Sequence, residues 1–127
     1  MRLLLDTHTI IWWAGDLEQI AETTRRAIME ADDVLVSPVS AYEMTLKHYL
    51  GKLPGVVDLL NDLRLYLDDQ RFSVLPISLA HAEFAGRLPM THRDPFDRLL
   101  IAQAQVEDLV LVSNEALFDR FGVRRLW

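Results

Sequence analysis

The segment RLLLD, residues 2–6, sets three leucines in a row and closes on an acid. Consecutive residues of a strand point to opposite faces, so an unbroken apolar run asks for burial on both sides of a sheet. The same form returns in DVLVS (33–37), FSVLPI (72–77) and DLVLVS (108–113), with VRRL (123–126) a weaker fifth. Short apolar runs ending in polar turns predict buried strands.

Helical patterns lie between these runs. GVVDLLNDLRLYLDDQ (55–70) places Val56, Leu59, Leu60, Leu63 and Leu67 at helical spacing, as one stripe of one helix. SPVSAYEMTLKHYLGK (37–52) opens on helix-start residues and stops at Gly51, and TTRRAIMEA (23–31), SLAHAEFAGRL (78–88) and DPFDRLLIAQAQVED (94–108) complete the set. Strands buried on both faces and separated by helices imply a three-layer α/β/α sandwich around a central, mostly parallel five-stranded sheet. No repeat, low-complexity tract or Ser/Gly-rich linker interrupts the chain, so residues 1–127 are expected to form a single domain.

Composition narrows the function classes. Half of the residues are hydrophobic and a quarter charged, as in an ordinary globular protein rather than a disordered one. Cysteine is absent, which excludes a disulfide framework, thiolate-bound zinc and a thiolate nucleophile. The apolar N-terminal stretch carries Asp6 and His8 where a signal peptide needs unbroken apolar residues, and no segment approaches the length of a membrane span. A cytoplasmic protein with no membrane partner is the expectation. The net charge of −6 weighs against a nucleic-acid binder in bulk, but a bound divalent ion inverts the field around a carboxylate cluster.

Open parallel sheets bind ligands at the carboxyl ends of their strands, and acids gather there. Asp6 closes the first strand; Glu115 follows the fourth in VSNEALFD (112–119); Glu43 lies after the second; Asp94 and Asp97 open the last long helix. Each has a local explanation. Asp94 before Pro95 reads as a helix cap with Asp97 in the first turn, and Ser113 or Asn114 reads as a cap with Glu115 behind it. Glu43 closes a capping box with Ser40, unless Ser37 and Pro38 start the helix and leave Glu43 in its second turn. Jointly, Asp6, Glu43, Asp97 and Glu115 would repel one another in one cleft unless a hard divalent cation neutralised them. An all-oxygen set suits Mg²⁺ or Mn²⁺, and the four histidines show no zinc-ligand spacing.

The ordered segments LLLDTH, VSAYEMTLKHYLGKL, HRDPFDRLLIAQA and LVSNEALFDRFGVRRLW resemble the motifs of PIN-domain endoribonucleases, most nearly the VapC-type toxins of bacterial toxin-antitoxin pairs, over residues 6–127. Carried over by position, the resemblance implies that Asp6, Glu43 and Asp97 are the catalytic acids of a site holding one or two Mg²⁺ or Mn²⁺ ions. Asp94 is then a cap, a ligand or both. Glu115 stands where the family usually has Asp, a departure that leaves its reach to the metal open. The implied chemistry is metal-assisted hydrolysis of RNA that leaves a 3′-hydroxyl and a 5′-phosphate. A homodimer and a cognate antitoxin protein are the implied partners.

Among the basic residues, Arg93 and Arg98 beside the acidic block, and Lys47 and Lys52 after Glu43, are either a solvated face or a phosphate-contacting rim. Ser113 joins Arg93 and Arg98 as a weak substrate-binding candidate. Trp12 and Trp13 read as core and interface, because adjacent helical residues point about 100° apart and cannot share one face. Two alternatives from other classes stand beside the nuclease. A phosphoacceptor receiver domain shares the size and acidic pocket but needs a lysine after a late strand, and none follows Lys52. The other is a non-catalytic binding module on the same fold.

Overall fold

The computed structural model describes all 127 residues. Five strands, β1 (Arg2–Leu5), β2 (Asp33–Val36), β3 (Ser73–Val74), β4 (Val110–Val112) and β5 (Arg125–Leu126), form one sheet in the order β3-β2-β1-β4-β5. All four pairings are parallel, with Leu4 opposite both Leu35 and Leu111. The leucine run behaves as its pattern requires. Leu3 and Leu5 enter one core with Val34, Val36 and Val112, while Leu4 enters the other with Leu35 and Leu111.

Seven helices cover the sheet: α1 (Thr7–Gly15), α2 (Glu22–Glu30), α3 (Pro38–Tyr49), α4 (Val57–Asn61), α5 (Leu63–Asp69), α6 (Leu79–Arg87) and α7 (Pro95–Val106). Ile10, Ile28, Leu59 and Leu67 bring α1, α2, α4 and α5 onto the first face, and Leu100, Ile101 and Ala104 bring α7 onto the second. Helix α3 serves both cores, through Met44 and Val39. Outside α7, α6 is pinned by buried His81, whose Nδ1 accepts from the Ser78 amide while Nε2 meets Glu107 at 3.2 Å. No helix is long and apolar enough to cross a membrane.

Two expectations are corrected here. The stripe from Val56 to Leu67 lies on two helices rather than one, because Asp62 adopts φ −150° and ψ 72° and caps a fresh start by accepting from the Leu65 amide. The apolar side survives the break, with Val56, Leu59 and Leu67 buried. The third strand pairs over only two residues of the expected six, since β2 ends at Val36, where Ser37 and Pro38 start α3, and leaves no partner beyond the Leu75 amide, which donates to the Val36 carbonyl at 2.9 Å. At the end of α3, Gly51 takes φ 71° and its amide bonds the His48 carbonyl, while the Lys52 amide bonds that of Lys47. That left-handed residue closes the helix as its position predicts.

The strand order fixes where a site can form. From β1 the chain winds outward through β2 to β3, then returns to the opposite flank of β1 as β4 and β5. The reversal places a crevice between the carboxyl ends of β1 and β4. Asp6 and Ser113 are the next residues along those two strands.

Candidate active site

Asp6 is 4% exposed and performs a structural task first. Its amide donates to the Val112 carbonyl at 3.1 Å, and its Oδ1 accepts from the Thr9 amide at 2.9 Å and the Thr9 hydroxyl at 2.7 Å, capping α1. The cap holds the carboxylate at the strand end. Thr7 then turns toward α3, where its hydroxyl donates to Glu43 Oε1 at 2.6 Å and lies 3.0 Å from the Ser40 hydroxyl.

Helix α3 resolves the alternative that the sequence leaves open at Glu43. Ser37 is the cap, accepting from the Val39 amide at 3.1 Å, and Pro38 occupies the first turn. Glu43 therefore lies in the second turn, buried and aimed at Thr7. One turn further, Lys47 Nζ meets Glu43 Oε2 at 2.6 Å. That hydrogen bond holds the ammonium above its usual range, with the charges of Glu43, Asp94 and Asp97 adding and burial opposing.

The acidic block at α7 divides its work. Asp94 is exposed and caps the helix, its Oδ1 accepting from the amides of Phe96 at 2.9 Å and Asp97 at 3.3 Å. Asp97, in the first turn, is half-buried, and its Oδ2 lies 2.8 Å from His92 Nε2. Burial pushes its carboxyl up to about 6, repulsion from Asp94 and Glu115 adds, and the His92 contact opposes the rise. At the fourth strand Ser113 is fully buried; its hydroxyl accepts from the Glu115 amide at 3.0 Å, and its carbonyl accepts from Arg125 Nη1 at 2.9 Å. Glu115 precedes a short 3₁₀ turn (Ala116–Phe121) and makes no side-chain bond to it.

Among the expected substrate contacts, only Arg93 is exposed and unpaired on the rim. Arg98 is buried, and its guanidinium donates to the carbonyls of Ala85, Leu88, Pro89 and His92 at 2.7–2.8 Å. Both terminal nitrogens of this cation are thereby committed to the end of α6 and the loop after it rather than to a phosphate. Ser113 likewise turns inward. The direct partners that the sequence did not reveal are Thr7, Thr9, the Lys47 pairing and the His92 contact with Asp97; of these, only the Glu43-to-Lys47 spacing of four carried a signal.

The acids thus share one edge, but no three of these side chains stand together as a group able to hold a metal ion. The expected ligand set of Asp6, Glu43, Asp94, Asp97 and Glu115 is not assembled as a cluster. Glu43 is bonded by Lys47 and Thr7, Asp97 by His92, and Asp94 by its own helix amides. The donor chemistry still fits a hard cation: every candidate ligand is a carboxylate, and burial pushes Asp97 toward protonation with the charges of Asp94 and Glu115 adding.

The family model described as PIN domain matches residues 3–123. The chain belongs to the PIN-domain family. Among curated proteins, Ribonuclease VapC22 of Mycobacterium tuberculosis is 27% identical over 114 residues, covering 89% of this PIN domain and 86% of the relative. Among solved structures, VapBC2 from Rickettsia felis, bound to a DNA fragment from its promoter, aligns with a TM-score of 0.73 at 16% identity over 99% and 98% of the two chains. DNA-bound VapBC from Salmonella typhimurium aligns at 0.68 and 21% identity over 99% and 97%. At these identities the structural likeness is one of fold. Membership in the PIN family displaces the receiver-domain alternative.

Proposed function

We propose that this PIN domain is a metal-dependent endoribonuclease and the toxin of a toxin-antitoxin pair. The reading is supported by one observation: Asp6, Glu43 and Asp97 come from three separate elements at the carboxyl edge of one parallel sheet, and Asp94 and Glu115 belong to the same edge. Lys47 is the one lysine or arginine bonded to a side chain of this group, His92 bonds Asp97, and burial raises the Asp97 carboxyl with the charges of Asp94 and Glu115 adding. Such a charge arrangement costs stability without a counter-ion, and functional sites are where proteins retain that cost.

Asp6, Glu43 and Asp97 would hold one or two Mg²⁺ or Mn²⁺ ions, with Asp94 and Glu115 alongside. When bound, such an ion lowers the pKa of a water and neutralises charge developing on phosphate oxygens. In the hydrolysis, water oxygen bonds to phosphorus, the bond to O3′ breaks, and O3′ takes a proton, leaving a 3′-hydroxyl and a 5′-phosphate. The chain's own residues keep the carboxylates in place through Thr7, Thr9 and the two helix caps. Arg93 is free to meet a neighbouring phosphate. No side-chain nucleophile is needed, in keeping with the absent cysteine and the inward-turned Ser113.

The likeness to VapBC complexes supports a cognate antitoxin as partner, and a homodimer is part of the same reading. One observation favours the alternative of a non-catalytic module: Lys47 and His92 already engage Glu43 and Asp97. Incubation with total cellular RNA and Mg²⁺ or Mn²⁺ separates the two. Cleavage is expected from the parent and lost with chelator or with Asp6→Asn, a change that preserves the cap on α1. Equal RNA decay in all three samples contradicts the proposal.

A further inference from the structure

Glu43 carries a donor on each carboxylate oxygen, and the two donors differ in kind. The Thr7 hydroxyl donates to Oε1 at 2.6 Å from a buried residue, whereas Lys47 Nζ, 2.6 Å from Oε2, belongs to a side chain that is 36% exposed. Asp94 and Asp97, at the start of α7, attract the same ammonium. Lys47 is thus a cation drawn to acids of two elements and bonded to one of them.

Three properties make this ammonium exchangeable. A Glu-to-Lys pair four residues apart on one helix is a weak tie. The ammonium is a compact, strongly hydrated charge on a flexible stem, so it passes readily into adjoining water. Glu43 is also its one hydrogen-bond partner. Asp6 differs, because its Oδ1 is held by the amide and the hydroxyl of Thr9 at the start of its own helix. Tethering works in the opposite direction: an ammonium on the same helix presents Glu43 with a high local concentration of positive charge, which free cations must displace. A monovalent ion offers no more charge than the ammonium already supplies. A divalent ion shared by Glu43 with Asp6 and Asp97 offers twice the charge, to several carboxylates at once.

Building on the metal-dependent reading of the site, we propose that Lys47 is its metal-selecting residue: the ammonium holds Glu43 against monovalent ions and yields it to a divalent cation. Metal uptake is then an exchange in which the ammonium leaves Glu43 Oε2 for water.

Calorimetric titration of the full chain with Mn²⁺ in NaCl tests this on the parent, Lys47→Gln and Lys47→Arg. Glutamine keeps a donor without the charge, and arginine keeps the charge. Removing a unit charge beside a divalent ion is expected to tighten Mn²⁺ binding about tenfold in Lys47→Gln, while Lys47→Arg binds no more tightly than the parent. Because Lys47→Gln no longer keeps Na⁺ from Glu43, added NaCl is expected to weaken its Mn²⁺ binding further than the parent's. If Lys47 serves only to brace Glu43, its loss weakens Mn²⁺ binding or leaves it unchanged, and either result overturns the proposal. Equal salt dependence in the two chains overturns it too, as does absence of uptake in all three. A Lys47→Gln chain that fails to fold contradicts the weak tie on which the exchange depends. Tighter uptake in Lys47→Gln, with no RNA cleaved by the parent, supports the exchange and sinks the ribonuclease reading alone.

Discussion

Asp97 carries the largest electrostatic conflict in the crevice, and its pH behaviour follows from it. A carboxyl whose folded pKa is about 6, above its usual 3.8, contributes stability that is fully present below the lower value and is lost as pH rises through the upper one. In chelator, Asp97→Asn removes that titration. The variant's melting temperature relative to the parent is therefore expected to climb between pH 4 and 7; a constant difference across that range contradicts the assignment. At Arg98, truncation leaves four carbonyls without their donor and a cavity at the end of α6, so Arg98→Ala is expected to cost about 3 kcal/mol in denaturant unfolding. A loss below about 1 kcal/mol, the typical value of a single hydrogen bond, contradicts the buried clamp. The roles of Asp94 and Asp97 were legible because a cap and a first-turn acid are local facts of spacing. Arg98 was not, because its partners are backbone carbonyls, which any residue type supplies.

Among the elements, caps decide which acids are free to do chemistry. Ser37 with Pro38 and Asp94 with Pro95 start α3 and α7, and each start sets the direction of an acid one or two turns behind it. Asp94→Ala is expected to cost about 1 kcal/mol, whereas Asp94→Asn keeps the cap and nearly all stability. RNA cleavage by the two variants then separates cap from ligand: activity retained in Asn identifies a cap alone, and activity lost in the stable Asn variant identifies a ligand. The strands were legible from their double-sided apolar runs. The break at Asp62 was not, because the apolar stripe continues across it and a capping aspartate within a helical period leaves the pattern unchanged.

For the whole molecule, the sandwich was legible because Leu3, Leu4 and Leu5 demand two cores, and the switch point follows from strand order once the sheet is parallel. The acids were legible as residues of one edge, whereas their engagement was not, since the Thr7 bond to Glu43 joins residues 36 apart and depends on packing between α1 and α3. Tyr42 and Tyr49 on α3 and Leu50 just after it are exposed to 62%, 82% and 58%, an apolar side of the kind that marks an interaction surface. Light scattering at micromolar concentration is expected to give the mass of a homodimer, and a monomer counts against it. A crevice between β1 and β4 that takes up a hard divalent cation is expected, in calorimetric titration with Mn²⁺, to bind one or two ions per chain saturably and to bind them at least tenfold more weakly in Asp97→Asn. Uptake that is absent, or identical in the two proteins, contradicts a metal site there.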